Sequence, residues 1–449
     1  MKTSKKVLIG VSSLIGVALI AVGAIWFSLP AGQRNMILFM ATGTESYDEY
    51  EEVQVIDRNE DDLVSVFDVY PAEPEVNDAD VNIRTVTEMV LNEGSGMLKT
   101  GMVDTLGVDD YTGWAVLADE SGDGPEEYSF GPSPLSYYTS GLAANLHTQV
   151  IDAATVLDVE VDNVIVEVVN TFRWDDMSAV DGTGYLDVST TNILIESDAS
   201  SLEIQSVIDL ALNGWAAGNA LATETVVEPH LIINGDNFDT YNASPKTAYT
   251  VDSYVDDLMI TSVTETPVEP YYLELTEVED LGILDMLTSM NNLQFEIYAI
   301  SESAHNEERP YLNEITVNAP SGETWVIYAD EFMSTDDTPI APTSLEYFTL
   351  GTSLCLTSQT TLVNAMMEIE YTDYRVEHMF EYSLEDVHTE DMSGSIDVIH
   401  TYVIIEADED EDTLNEFFTR ALSLCFAGEG LVNETEMVIT TYLNNEVIE

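Results

Sequence analysis

Positive charge is what this chain has least of: 12 Lys and Arg stand against 84 Asp and Glu in 449 residues, a formal net charge of −72. Holding a phosphate backbone needs clustered cations, so nucleic acid is excluded as a partner. Cysteine is scarcer still, with only Cys355 and Cys425, so any thiol chemistry must belong to this one pair. The six histidines, His147, His230, His305, His378, His388 and His400, show no metal-ligand spacing along the chain. The acidic runs "EADEDED" and "DESGDGPEE" do not follow a calcium-loop pattern and read as solvated surface. A phosphate loop, a serine-nucleophile motif and a Rossmann fingerprint are all missing. No cofactor and no metal are expected.

What is present is ample apolar material. A hydrophobic fraction of 45% supports real cores, so the acidity does not mean disorder. So strong a negative field strains a compact state unless salt screens it. The screening length falls to about 3 Å at molar salt, against roughly 10 Å at 0.1 M. Adaptation to a saline medium is the expected reason for the charge.

At the N-terminus, Lys2, Lys5 and Lys6 precede an uncharged run from Val7 to Leu29. At about 1.5 Å per residue such a run spans a bilayer core, and basic residues before it favour N-terminus in. Residues 1–30 are therefore expected to be a single-pass signal-anchor with the remaining chain outside the cell membrane. The alternative is a cleaved signal and secretion, which small residues such as Ala21, Gly23 and Ala24 leave open. Residues 31–80 read as an acidic linker.

The sequence then repeats itself. "GPSPLSYYTSGLAANLHTQ" from Gly131 is answered by "APTSLEYFTLGTSLCLTSQ" from Ala341, with Leu135/Leu345, Tyr137/Tyr347 and Gly141/Gly351 all 210 apart. "ALNGWAAG" from Ala211 answers "ALSLCFAG" from Ala421 at the same offset. "WAVLADE" from Trp114 answers "WVIYADE" from Trp325 one residue out of step. Matched blocks in one order point to a tandem duplication: copy one at 81–239, a connecting segment at 240–290, copy two at 291–449. Opposite Cys355 and Cys425, copy one carries Asn145 and Trp215. Thiol chemistry is confined to copy two.

Alternating β-type segments, "LQFEIYAIS", "YLNEITVNA" and "TWVIYADEF", open copy two. A long helix from Ser344 to about Met367 follows, entered through Pro342 and apolar or small on nearly every face, hence buried all round. Strands "YRVEHMFEYSL" and "SIDVIHTYVIIEA", a second helix ending at Gly428 and a last strand "EMVITTYLNN" complete it. The order βββ-α-ββ-α-β is an α+β architecture with a central helix.

Pro342, Leu345, Glu346, Tyr347, Phe348, Gly351 and Cys355, followed 70 residues later by Cys425, resemble the OsmC/Ohr superfamily of osmotically induced and organic-hydroperoxide-resistance proteins. The resemblance implies intertwined dimers with crossing central helices, so two copies in one chain would form an intramolecular pseudo-dimer. It also implies a thiol peroxidase acting on an organic or lipid hydroperoxide, with an external thiol reductant as second partner. On that pattern Cys355 is the attacking thiol and Cys425 the resolving one, passing through sulfenate and disulfide. Glu346 and an arginine hold the thiolate; Arg309 lies in the matching region, with Arg420 as the other candidate. Phe426 stands where relatives often carry proline. The alternative is a catalytically silent binding or structural protein of the cell envelope on the same fold.

Overall fold

The computed structural model describes residues 80–89, 97–108, 111, 113–120, 131–175, 182–234, 294–304, 309–318, 324–332 and 339–448, with short strands at 56–58 and 261–264. The expected anchor, most of the acidic linker and most of the connecting segment lie outside the described residues. Among the described residues, no helix is long and apolar enough to cross a membrane.

The fold is mixed α+β, with two sheets and six helices among the described residues. In chain order the first half runs β1 (Ile56–Arg58), β2 (Asp80–Met89), β3 (Lys99–Thr105), β4 (Trp114–Ala118), α1 (Pro134–Val156), β5 (Asn163–Asp175), β6 (Thr183–Glu196), α2 (Ser201–Gly214), α3 (Ala216–Ala222) and β7 (Val226–Ile233). After β8 (Thr261–Thr264) the same order returns. It runs β9 (Gln294–Ser303), β10 (Asn313–Asn318), β11 (Thr324–Ala329), α4 (Ser344–Met367), β12 (Tyr371–Glu385), β13 (Ser393–Ala407), α5 (Glu411–Leu424), α6 (Phe426–Val432), β14 (Glu436–Leu443) and β15 (Glu446–Ile448).

Neither sheet belongs to one half. The seven-stranded sheet runs β1-β4-β3-β2-β12-β13-β7 and the eight-stranded one β15-β14-β6-β5-β9-β10-β11-β8. Each half thus lends its two long strands to the sheet begun by the other. The joins are Val376 opposite Thr87 in one sheet and Val169 opposite Tyr298 in the other, both antiparallel. The outer pairings of β13 with β7 and of β14 with β6 are parallel.

The helices α1 and α4 cross between the sheets, α1 packing on β9, β10 and β5, and α4 on β2, β3 and β12. Close approach is set by glycine on both sides. A Cβ on Gly141 would fall 2.4 Å from the Phe348 nitrogen, and one on Gly351 2.4 Å from the Tyr138 nitrogen. Tyr137 and Tyr347 stack at the crossing, their centroids 5.7 Å apart. Each phenol donates across to its own half's hairpin, to the Leu117 and Tyr328 carbonyls respectively, at 2.8 Å.

From Ser344 to Val363 every residue of α4 is buried, hydroxyls included. Those hydroxyls are satisfied locally: Thr352, Thr357, Ser358 and Thr361 donate to carbonyls four residues back. A helix rich in Ser and Thr can therefore sit in a core without orphaned donors there. Its start is a capping box in which Thr343 and Glu346 satisfy each other's backbone N–H groups.

The second helix of the C-terminal half differs from the sequence expectation. It breaks at Cys425, which leaves helical geometry (φ −76°, ψ 104°) and caps α5 and α6 together. The following Phe426 is drawn into an aromatic cluster with Trp174, Phe295 and Phe172, at centroid distances of 4.7, 5.4 and 5.6 Å. The first half breaks in the same place, at Trp215, where Ala216 follows, so the joint is common to both halves and not a consequence of the Phe426 ring.

Candidate functional site

The two thiols meet. Cys355, midway along α4, and Cys425, at the α5–α6 joint, are free, buried and 3.5 Å apart between sulfurs. A disulfide bond is about 2.0 Å long, so a closure of about 1.5 Å would join them. The Cys425 thiol donates toward Cys355, while the Gly428 N–H donates to the Cys425 sulfur at 3.4 Å. Burial, then the neighbouring sulfur, pushes the Cys425 thiol well above its ordinary value, outweighing the Gly428 bond. Cys425 is held as a neutral thiol whose proton points at Cys355.

Beside them lies an open cleft of 160 Å³ between α4, β7, β13 and the α5–α6 pair. Its walls are mostly apolar, with Val227, Leu356, Ile399, Leu422 and Leu431 among them. Cys425 is in the lining, and Cys355 touches the cleft only through its neighbours Thr352 and Leu356. The mouth reaches Val432, which is 37% exposed.

Two further residues complete the surroundings, and neither was singled out from the sequence. His378 on β12 lines the cleft, 3% exposed, with its Nδ1 lacking a hydrogen-bond partner among the described residues. Burial lowers it to about 3, so it is a neutral imidazole and supplies no cation. Tyr138, from the first half's helix, has a buried hydroxyl with no hydrogen-bond partner among the described residues. Burial raises it well above the ordinary tyrosine value, and the charges of Cys355 and Cys425 raise it further. The phenol is near enough to the pair to feel it electrostatically, but its hydroxyl makes no hydrogen bond to either sulfur.

The other candidates are elsewhere. Arg309 pairs with Asp330 at 2.5 Å, and Asp330 also accepts the Ile340 N–H at 2.9 Å, tying β11 to the approach to α4. Arg420 bonds Glu416 one turn back on α5 at 2.6 Å. The cleft lining contains neither Lys nor Arg. Glu346 begins α4, and nine residues of helix put it about 13 Å from Cys355 along the axis. Its carboxylate accepts from the Thr343 N–H (2.8 Å), Thr105 (2.9 Å) and Tyr111 (2.7 and 2.8 Å), and Trp114 donates in turn to Tyr111.

The burial of Glu346 has a measurable consequence. Desolvation raises it from 4.5 to about 7 despite the bonds from Thr343, Tyr111 and Thr105. Between those pH values the folded protein keeps a proton that the unfolded chain has released. Stability therefore falls as pH rises from about 4.5 and levels above about 7, a span of roughly 3 kcal/mol from this group. Glu346→Gln is expected to flatten urea stability against pH by about 2–3 kcal/mol over that window. Unchanged curves would show that the carboxyl titrates normally.

In the first half the matching volume is filled. The Trp215 indole donates to the Leu142 carbonyl at 3.1 Å, and Asn145 bridges Ser344 and the Ala217 N–H at 3.3 Å each. His147 is a packed histidine whose Nδ1 lies 3.1 Å from the Ser301 hydroxyl. That half contributes Val227 and Pro229 of β7 to the cleft wall, and no thiol.

No family model matches the sequence, and no curated protein matches it. Among solved structures the chain is similar to an OsmC-like hydroperoxide resistance protein from Jannaschia sp. CCS1. The match has 17% identity and a TM-score of 0.19, and covers 30% of this chain and 86% of that one.

Proposed function

We propose that the protein reduces organic hydroperoxides through a Cys355–Cys425 sulfenate–disulfide cycle, built on two OsmC-like copies in one chain as an intramolecular pseudo-dimer. The observation that carries this reading is the pair of reduced, buried thiols 3.5 Å apart beside an apolar cleft. The repeated motif and the repeated element order support the pseudo-dimer. The apolar run from Val7 to Leu29 supports a membrane tether with the body outside the cell.

Cys355, as thiolate, attacks the terminal oxygen of the hydroperoxide. The O–O bond breaks, the sulfur takes the hydroxyl as a sulfenic acid, and the departing alkoxide picks up a proton to leave as alcohol. Cys425 then attacks the oxidised sulfur and gives up its proton, and the hydroxyl leaves as water. The two electrons that reduced the peroxide come from the two sulfurs, and an external dithiol restores them. The cleft selects the alkyl part, since each buried methylene favours binding by about 0.8 kcal/mol.

The test is the chemistry of the sulfurs. The reduced full-length protein, in detergent and concentrated KCl, is mixed with one equivalent of cumene hydroperoxide. Both thiols are expected to disappear, with one intramolecular Cys355–Cys425 disulfide found by mass spectrometry. Thiols that survive an excess of the hydroperoxide would sink the proposal.

A further inference from the structure

The sheet wall that closes the thiol cleft carries a second cluster on its other side. Val227, Pro229, Ile399 and Thr401 line the cleft. Strand residues alternate faces, so Glu228, His230 and His400 point the opposite way, away from the central helices. The parallel pairing of β7 with β13 sets His400 opposite Glu228 and Tyr402 opposite His230. One potential ligand atom from each of Glu228, His230 and His400 lies within 4.8 Å of the other two. The His230 ring stacks on Tyr402 at 4.5 Å, which fixes its plane.

We propose that Glu228, His230 and His400 form a binding site for a divalent transition-metal ion of the zinc type, with Glu381 as the positioning residue. His400 is held at both ring nitrogens: Nε2 lies 3.0 Å from the Glu381 carboxylate and Nδ1 3.2 Å from that of Glu228. With the Nε2–H donating to Glu381, the Nδ1 lone pair faces the Glu228 oxygens and is able to bind an ion held between them. A carboxylate orienting the far nitrogen is the usual companion of a metal-bound histidine. Two imidazoles and one carboxylate suit Zn²⁺, whose bonds to such ligands are about 2.0–2.2 Å. Glu228 and His230 are exposed, so their side chains can draw in around an ion entering from solvent. Three protein ligands leave a position open for water or an external ligand. The ion would join β7 of the first half to β12 and β13 of the second. The site shares no residue with the thiol chemistry, so either assignment can fail without the other.

The full-length protein in concentrated KCl, which screens the acidic surface, is titrated with Zn²⁺ against a chromophoric chelator. One equivalent is expected to bind, raising the thermal midpoint. His230→Asn and His400→Asn should lose that equivalent while keeping the metal-free midpoint, and Glu381→Gln should weaken it about tenfold. The Co²⁺ adduct should show visible d–d bands without thiolate charge transfer. Zinc binding that is absent, or equal in the histidine variants, overturns the proposal. A thiolate band does so too, by placing the ion on the cysteines.

Discussion

Cys355→Ser is expected to lower cumene hydroperoxide turnover by about 1,000-fold or more, to the rate of the reaction in solution. A serine hydroxyl does not ionise in this buried place, and oxygen is a poor nucleophile toward an O–O bond. Cys425→Ser is expected to stop the cycle one step later. Cys355 should be oxidised once, and with no partner thiol 3.5 Å away its sulfenate should persist and react with dimedone. The raised Cys425 proton and its direction toward Cys355 favour this order. The lining of the cleft adds a sharper condition, because the sulfur it exposes is that of Cys425. A dimedone adduct on Cys425 in the Cys355→Ser protein would reverse the roles and keep the disulfide chemistry. Wild-type turnover in both variants would end it.

Much of each half's order could be read from the chain, because its periodicities are local. Strands, the long helix from Ser344 and the closing strand alternate or recur as their burial requires. The exchange of long strands between sheets could not be read. Alternation fixes which face of β12 is buried but says nothing of its neighbour, and Val376 pairs with Thr87 far back in the sequence. The break at Cys425 was hidden as well: it recurs at Trp215 in the first half, so it belongs to the arrangement both halves share, and neither residue is a helix breaker.

The site divides along the same line. The cysteines were visible as the sole pair, and their spacing in two helices carried the resemblance. Arg309 fitted a region, but a cation goes to the carboxylate that geometry offers, here Asp330. Tyr138 enters from the other half, and His378 occupies an inward position on a strand whose neighbours there are Val376 and Phe380. A polar residue at an inward position was the signal available in the sequence. The histidines at 230 and 400 show no spacing because adjacent strands, not adjacent residues, bring them together.

The helix crossing on which the thiol site rests is a place where a single methyl should do heavy damage to folding. In an ordinary helix Gly→Ala stabilises by about 1 kcal/mol. At Gly141 and Gly351 the sign is expected to reverse, with a loss of about 3 kcal/mol or more for each. The added carbon would meet backbone rather than a yielding side chain. For Gly141 it falls 2.4 and 2.6 Å from the Phe348 nitrogen and Ser344 carbonyl oxygen, and for Gly351 2.4 and 2.8 Å from the Tyr138 nitrogen and Pro134 carbonyl oxygen. Relief requires α1 and α4 to separate, which loosens the Tyr137–Tyr347 stack and the contact of Tyr138 with Phe348 at 4.6 Å. Since either substitution forces the same separation, the double variant should cost less than the sum of the two. Urea midpoints of the single and double variants in concentrated KCl measure this. Additive losses would mean that the two glycines act separately, and midpoints at or above wild type would mean that the helices do not touch at these positions.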